Sequence, residues 1–586
     1  MTRAIRIAGF SGYLGDRRSA LAEAVAGDPC DVLIGDYLAE FTLAMLAARH
    51  RSDPSKGFVE YFLDQLRPHL ATLAERGTRV VVNAGGFNPA GLADAVRALI
   101  AEAGVRLRVA HVEGDNVLSA LDDLQAAGHP LQSLDSGAPL SDWGVRPIAA
   151  NAYLGGWGIA AALREGAGIV VCGRVTDASL TVGPAAWWHG WRNTDWDELA
   201  AAVVAGHIIE CGPQAVGGNF SGFTQVPGMV APGFPVAEIA ADGTAIITKH
   251  AGDGGMVTVD TVTAQLVYEI QGPRYLNPDV TAHLDTVRLR QIGPDRVELS
   301  GTTGSPPPPT TKVAVFAPIG HQLVSTLYAT GLEIDEKVAL IRAQAEALLD
   351  GAEAELDVSA LGTAAEDPER QWDATVQVRI MATAAERAPL EQLAEGLGGL
   401  FLSSIPGFYT DSAARQSGTP KPRIDYWPSL LAMDAVPHEA VLDDGSRITI
   451  APPPAAEQPA QPAHPEPEPS PAGETRRVPL GRIAHARSGD KGGNSNVGLW
   501  VDDPKAWPWL RGLLSTEELR RLMPEAKDLE IVRHEFPNLR AVHFVLRGLL
   551  GTGGSSNLRV DPIGKAVGEF LRARHVEVPV DLLDGQ

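Results

Sequence analysis

Short apolar, β-branched runs recur through the first 240 positions: Ala4–Ala8, Val32–Gly35, Arg79–Asn83, Val105–His111 and Gly168–Cys172. Each ends in a Gly- or Asp-rich turn, and amphipathic stretches at Phe58–Glu75 and Pro89–Ala103 separate several of them. Strands alternating with helices predict an α/β fold, with a parallel sheet and crossover helices forming a body over residues 1–240. From residue 241 the strand-like segments lengthen, at Ala245–Thr248, Met256–Val262, Gln265–Ile270 and Ala374–Met381. They predict an α+β subdomain of the same body over 241–450.

The rhythm then breaks. Between Ala451 and Pro471 there is no Phe, Tyr, Trp or β-branched residue, and prolines recur through Pro465, Pro467, Pro469 and Pro471. Such a stretch cannot build a packed core and favours extended polyproline II backbone, so residues 451–476 read as a mobile linker. The remainder, 477–586, has strand-like Arg482–His485, Leu499–Val501 and Ala541–Leu546 alternating with helical Thr516–Met523 and Ile563–Arg574. This pattern predicts a small separate domain.

Composition narrows the function classes. A chain of 586 residues exceeds what one core organises, and its formal charge of −23 opposes nucleic-acid phosphates and anionic lipid. No basic patch offsets that charge, so nucleic acid is not an expected partner. An anionic substrate would need local Arg, Lys or backbone N–H groups. No apolar run reaches membrane-spanning length, and the start reads as a first strand, so the expectation is a cytoplasmic protein with no membrane partner. Cys30, Cys172 and Cys211 are far apart and lack metal-ligand spacing, which points to buried thiols and gives no metal site.

Ligands in parallel sheets collect beyond the carboxyl ends of the strands, where this chain places its unusual residues. Ser11, Gly12 and Gly15 follow the first strand in a G-x-x-G-x-x-G loop, spaced wrongly for a dinucleotide fingerprint but suited to an anion or to a tight turn. Asp36 follows the second, as a helix cap or a general base, with Glu40 four residues on. Asn83, Gly85 and Gly86 follow the third and could cradle a carbonyl. Asn151 opens a later helix, and Arg174 and Asp177 form an anion fork or a structural pair. Further Gly-rich loops hold the His207–Asn219 segment and Lys249 with His250. In the small domain, Ser488, Asp490 and Lys491 lie in a charged, Gly-rich loop, and Gly551–Ser556 forms a second. Metal-hydrolase, P-loop and α/β-hydrolase signatures are absent from the sequence.

In combination, Gly35-Asp-Tyr-Leu-Ala-Glu40, Asn83-Ala-Gly-Gly, Asn151-Ala-Tyr-Leu-Gly, Gly173-Arg-Val-Thr-Asp177, Glu210-Cys-Gly-Pro-Gln, Tyr268-Glu, Asn277-Pro-Asp279 and Ser488-Gly-Asp-Lys-Gly resemble the acyclic terpene utilisation protein AtuA family. The resemblance covers nearly the whole chain apart from the linker. It implies a large domain followed by a ferredoxin-like AtuA domain, and a role in catabolism of branched acyclic terpenoids such as citronellol and geraniol through CoA thioesters. CoA then enters as part of a small-molecule acyl substrate, and no other cofactor is named.

The expectation is a hydro-lyase or carbon–carbon lyase acting on a carboxylate-bearing acyl substrate. Asp36, His250 and Asp177 are its catalytic candidates, and Ser11, Gly12, Asn83, Gly85, Gly86, Asn151, Arg174, Lys249, Ser488, Asp490 and Lys491 its binding candidates. The alternative is a non-catalytic partner or acyl-binding subunit of a catabolic complex. Either reading leaves room for a homo-oligomer.

Overall fold

The apolar runs become parallel neighbours. The computed structural model describes residues 3–410, 418–468, 473–554 and 556–583. Residues 469–472 of the expected linker, Ser555 of the Gly551–Ser556 loop and the Glu40 side chain lie outside the described residues. Strands β1 (Ile5–Ser11), β2 (Val32–Gly35), β3 (Arg79–Val82), β4 (Val109–Glu113) and β6 (Ile169–Cys172) form a parallel run in the order β1-β2-β3-β6-β4. Their side chains alternate between two cores. Ile5, Ile7, Val32, Ile34, Val81 and Val170 enter one, while Ala8, Phe10, Leu33, Val80, Val82 and Val171 enter the other. Burial on both faces explains why these strands read as continuous apolar runs.

The sheet does not stop at residue 240. Antiparallel β7 (Pro235–Ile239), β8 (Ala245–Lys249), β12 (Arg296–Ser300) and β11 (Arg288–Gly293) extend it beyond β1, and β18 (Glu439–Val441) and β19 (Arg447–Thr449) extend it beyond β4. Among the described residues it has eleven strands. The expected boundary at 240/241 therefore falls inside one sheet. Two smaller sheets take the other strands of the body: β9 (Arg274–Leu276), β10 (Thr281–His283) and β13 (Thr303–Ser305) form one. The other holds β5 (Ala149–Ala152), β14 (Thr310–Thr330), β15 (Ala354–Leu361), β16 (Thr375–Ala384) and β17 (Lys421–Ala432).

Two expected strands of the body are absent. Met256–Val262 and Gln265–Ile270 contribute instead to the helix Val259–Leu266. Thr258 and Thr261 cap it reciprocally: the Thr261 N–H donates to the Thr258 hydroxyl at 3.2 Å, and the Thr258 N–H to the Thr261 hydroxyl at 3.0 Å. The cap outweighs the β-branched composition that suggested a strand.

The small domain begins with β20 (Thr475–Pro479), which pairs with β25 (His575–Pro579). Its main sheet runs β21 (His485–Lys491), β22 (Asn494–Trp500), β24 (Ala541–Leu546), β23 (Ile531–Phe536), all antiparallel. Ala486, Val497, Leu499, Val542, Phe544 and Leu546 on one face pack with Leu510, Leu519 and Leu571 of its helices. The other face is committed to the body: Trp500, Phe536 and Ala541 are members of the body's own core, and the Trp500 indole donates to Asp260 at 3.1 Å. Gly498 sits so close that a Cβ there would lie 2.5 Å from the Val267 side chain.

Residues 456–466 of the linker, expected to be mobile, form a bound strap. Proline lacks an N–H, so this segment is held largely by side chains that supply the missing hydrogen bonds. Gln461 accepts from the Arg274 N–H at 2.9 Å and donates to the Arg274 carbonyl at 2.8 Å, imitating a strand partner for β9. Gln458 accepts from Thr281 and donates to the Pro306 carbonyl, and Glu466 then accepts from the Thr516 N–H and hydroxyl of the small domain. Residues 456–466 thus tie the two parts together.

Trp500→Ala should cost about 3–5 kcal/mol of stability and loosen the small domain, as measured by denaturant unfolding and proteolysis within the strap. Two histidines on the docked face add a pH dependence. Burial pushes His534 down to about 4 and His543 down to about 3, from 6.5. Their contribution to stability is full above pH 6.5 and is lost as the pH falls, because the unfolded chain binds the protons that the folded one refuses. By pH 5 the loss should reach about 2 kcal/mol per histidine, and a His543→Phe variant should show a shallower acid limb.

Candidate active site

The parallel ladder delivers one cluster of polar side chains to its carboxyl edge. Asp36 follows β2, where its N–H continues the ladder by donating to the Ser11 carbonyl at 3.0 Å. Its side chain is 6% exposed. Oδ1 accepts from Asn83 Nδ2 at 2.6 Å and from the Leu38 N–H at 3.1 Å, while Asn83 Oδ1 accepts from the Tyr37 N–H at 2.7 Å. Asn83 therefore positions Asp36; both ends of its carboxamide are engaged within the protein.

Arg174 and Asp177 lie beyond β6. The Arg174 guanidinium donates to the Leu38 carbonyl and to Asp177 Oδ1, the latter at 2.8 Å, and stacks 4.1 Å over the Tyr153 ring. It fixes Asp177 and the turn after Asp36 in one frame. Asp115, beyond β4, accepts from the Arg174 N–H at 2.8 Å and from Asn151 Nδ2 at 2.7 Å. Asn151 is thus a support of that frame, fully buried.

The fourth acid enters from a helix. Trp196–Ile209 is buried on nearly all sides from Leu199 onward, and it ends at Glu210 against the first glycine loop. A Cβ on Gly12 would lie 2.6 Å from the Cys211 carbonyl carbon, so glycine is required there for close approach. The Gly12 N–H donates to Asp16 and the Ser11 hydroxyl to the Tyr13 carbonyl, so this loop is a packed turn whose donors are spent internally. Gly86 likewise donates its N–H to the Asn83 carbonyl, and a Cβ on Gly85 would lie 2.5 Å from the Cys172 carbonyl oxygen.

Electrostatics bind these residues into one unit. Burial, and then the negative charge of Asp177, push Asp36 well above the usual carboxylate range, against the pull of Arg174. Glu210 is pushed up by burial and by Asp177, against Lys491. Burial raises Asp115 to about 6. Like charges in a dry space cannot all ionise, so protons are retained here at neutral pH.

Lys491 comes from the small domain. The period-two alternation of β21 splits the expected Ser488–Gly493 loop, which is in fact the end of a strand and a hairpin. Arg487, Gly489 and Lys491 face the body: Arg487 donates to Gln214 and stacks 4.3 Å over Tyr268, and Lys491 acts on His207, Glu210 and Tyr275. Ser488 and Asp490 face the other way. The Ser488 hydroxyl accepts from the Gly568 N–H at 2.9 Å, and Asp490 lies 3.6 Å from Lys565. The hairpin's Gly493 N–H is directed to Asp135 of the body. The hairpin there is a docking contact with the body.

Lys249 and His250 are not brought into the cluster. They end β8, two strands beyond β1, where Lys249 Nζ donates to the Asp253 carbonyl at 2.7 Å and His250 lies against Gly27 with Asp28 at 3.9 Å. The charges acting on His250 are those of Asp253, Asp28 and Arg6. The residues that sequence reasoning leaves without a role are Glu210, His207, Glu269 and Tyr275. The signal for His207 and Glu210 is the density of ionisable groups and glycines in the His207–Asn219 segment, and that for Glu269 is the Tyr268-Glu motif; Tyr275 has none.

A family model for the acyclic terpene utilisation family protein AtuA matches residues 5–442, about three quarters of the chain. The chain belongs to the AtuA family. A second model, the AtuA ferredoxin-like domain, matches residues 478–577, the part that carries Lys491. AtuA membership ties the chain to acyclic terpene utilisation. No curated protein and no solved structure matches it. Among the described residues, no helix is long and apolar enough to cross a membrane.

The electrostatics of this AtuA-family site predict a stability test. Folded Asp36 keeps a proton that the unfolded chain releases above its ordinary value of 3.8, so its contribution weakens folding as pH rises through the folded pKa. Asp36→Asn keeps the Oδ1 acceptor and carries no charge. It should stabilise the protein by about 1–2 kcal/mol at pH 8 and by less at pH 5, as read by denaturant unfolding.

Proposed function

We propose that this protein is a hydratase- or lyase-type enzyme acting on a branched, carboxylate-bearing acyl substrate carried as its CoA thioester. The observation that supports this reading is the pairing of buried Asp36, pushed toward its neutral form, with Asp177, 32% exposed and ion-paired to Arg174. Elimination or addition beside a carbonyl needs one group that takes a proton from carbon and another that gives one to the leaving oxygen or carbon fragment. Asp36 serves as the proton donor in the dry part of the site. Asp177, nearer solvent, takes the proton from carbon and exchanges it with water.

The cations divide the remaining work. Arg174 holds Asp177 and turns its edge to the substrate, while Lys491 anchors the substrate carboxylate from the side of the small domain. Because Lys491 arrives only with the docked domain, both parts of the chain are needed for turnover. The packing of Trp500 and the strap keeps that geometry fixed.

The test begins with a deletion strain fed branched terpenoid acids and their CoA precursors. The compound that accumulates is identified and incubated with the pure full-length protein. Conversion is expected, with Asp36→Asn losing at least a hundredfold in kcat while remaining folded. Accumulation with no conversion by pure wild-type protein would instead favour a non-catalytic acyl-binding partner, and full activity of Asp36→Asn would remove Asp36 from its role.

A further inference from the structure

Beside the Asp36–Asp177 pair lies a second pair of groups with no assigned use. His207 and Glu210 are three residues apart at the end of the helix Trp196–Ile209, and His207 Nδ1 lies 3.2 Å from Glu210 Oε1. Both are enclosed, at 1% and 7% exposed. Glu210 has one polar atom left over: its Oε2 is buried without a hydrogen-bond partner among the described residues. Burying such an atom unpaired costs about 1–3 kcal/mol, which a purely structural pair would avoid.

Asp177, Lys491, Glu269 and Arg174 are the charged groups around Glu210, and two of them, Asp177 and Arg174, also act on Asp36. Lys491, Glu269 and Asp177 are also the charged groups around His207, whose ring lies 5.0 Å from that of Tyr275. The dyad therefore lies within electrostatic reach of Asp177, the group that also acts on Asp36, and of Lys491 from the docked small domain.

We propose that Glu210 is a further proton-transferring catalytic residue of this site, and that His207 is its positioning residue. The inference rests on the proton-transfer reading given above. His207 donates its Nδ1–H to Glu210 Oε1, which leaves the Glu210 proton on Oε2, directed at the substrate. As Asp177 takes the proton from carbon and the C–H electron pair moves toward the carbonyl, the Oε2–H bond breaks, the proton bonds to the carbonyl oxygen and the O–H electron pair stays on Glu210. The Nδ1–H bond then becomes charge-assisted and holds the carboxylate. When the leaving group departs with the proton of Asp36, the carbonyl re-forms and its proton returns to Glu210 Oε2, while Asp177, the partly exposed acid, exchanges its proton with water. The ionisation of the two groups agrees with these roles: burial holds the imidazole neutral, down to about 4, and pushes the Glu210 carboxyl up.

Infrared spectroscopy of the full-length protein at neutral pH tests the resting state without any substrate. The protonated-carboxyl band should lose one component in Glu210→Gln, and that component should shift in frequency in His207→Gln. Thermal unfolding establishes that each variant is folded, with Glu210→Asp as the reserve should the Gln variant not fold. An unchanged band in Glu210→Gln would overturn the proposal. Where the compound accumulated by the deletion strain is turned over, Glu210→Gln should lose at least a hundredfold in kcat with KM nearly unchanged. His207→Gln should displace the alkaline limb of the pH profile. Wild-type kcat in Glu210→Gln would overturn the catalytic role. A wild-type protein that converts nothing would defeat the enzyme reading on which the inference rests, while the infrared result would still decide where the proton sits.

Discussion

The constraint on which the rest depends is the commitment of one face of the C-terminal sheet to the body. Period-two alternation gives that sheet two different jobs: Val497, Leu499 and Phe544 close the small domain's own core, while Trp500, Phe536 and Ala541 complete the core of the large one. A sheet with two apolar faces must be covered on both, so docking is a requirement of this domain's burial. Its consequence is electrostatic. Lys491 is carried in as part of the same face, and its charge acts on Glu210, which shares Asp177 and Arg174 with Asp36.

The chemistry follows from desolvation. Carboxyls that would ionise freely in water retain protons here, because burial and mutual repulsion outweigh the pull of Arg174 and Lys491. The acid cluster is held in place by groups that spend their hydrogen bonds inward: Asn83 on Asp36, Asn151 on Asp115, and Arg174 on Leu38 and Asp177. A rigid frame around a few poised acids is the arrangement that proton transfer needs.

The alternation of β1, β2, β3, β4 and β6 with helices was readable because fully buried parallel strands leave continuous apolar runs, and the site's location at their carboxyl ends followed from topology. Asp36, Arg174 and Asp177 were accessible to that reasoning. Lys249 and His250 were not separable from them, since local glycine content says nothing about how many strands lie between two loops. Glu210 and His207 come in on a helix buried on nearly all sides, whose sequence carries no mark of what its last turn faces. The strap was misleading for a related reason. Its prolines describe an unpaired backbone, whereas its binding lies in Gln458 and Gln461, two side chains that composition counts as ordinary polar residues.

If the docked face holds the acid cluster in its buried, protonated form, undocking must release those protons. The protonated-carboxyl infrared band of the full-length protein at neutral pH measures this, compared between wild type and the undocking variant Trp500→Ala. A clear band is expected in the wild type, weakening or vanishing when the small domain is released. A band of equal strength in both, with the small domain shown to be released, would contradict this.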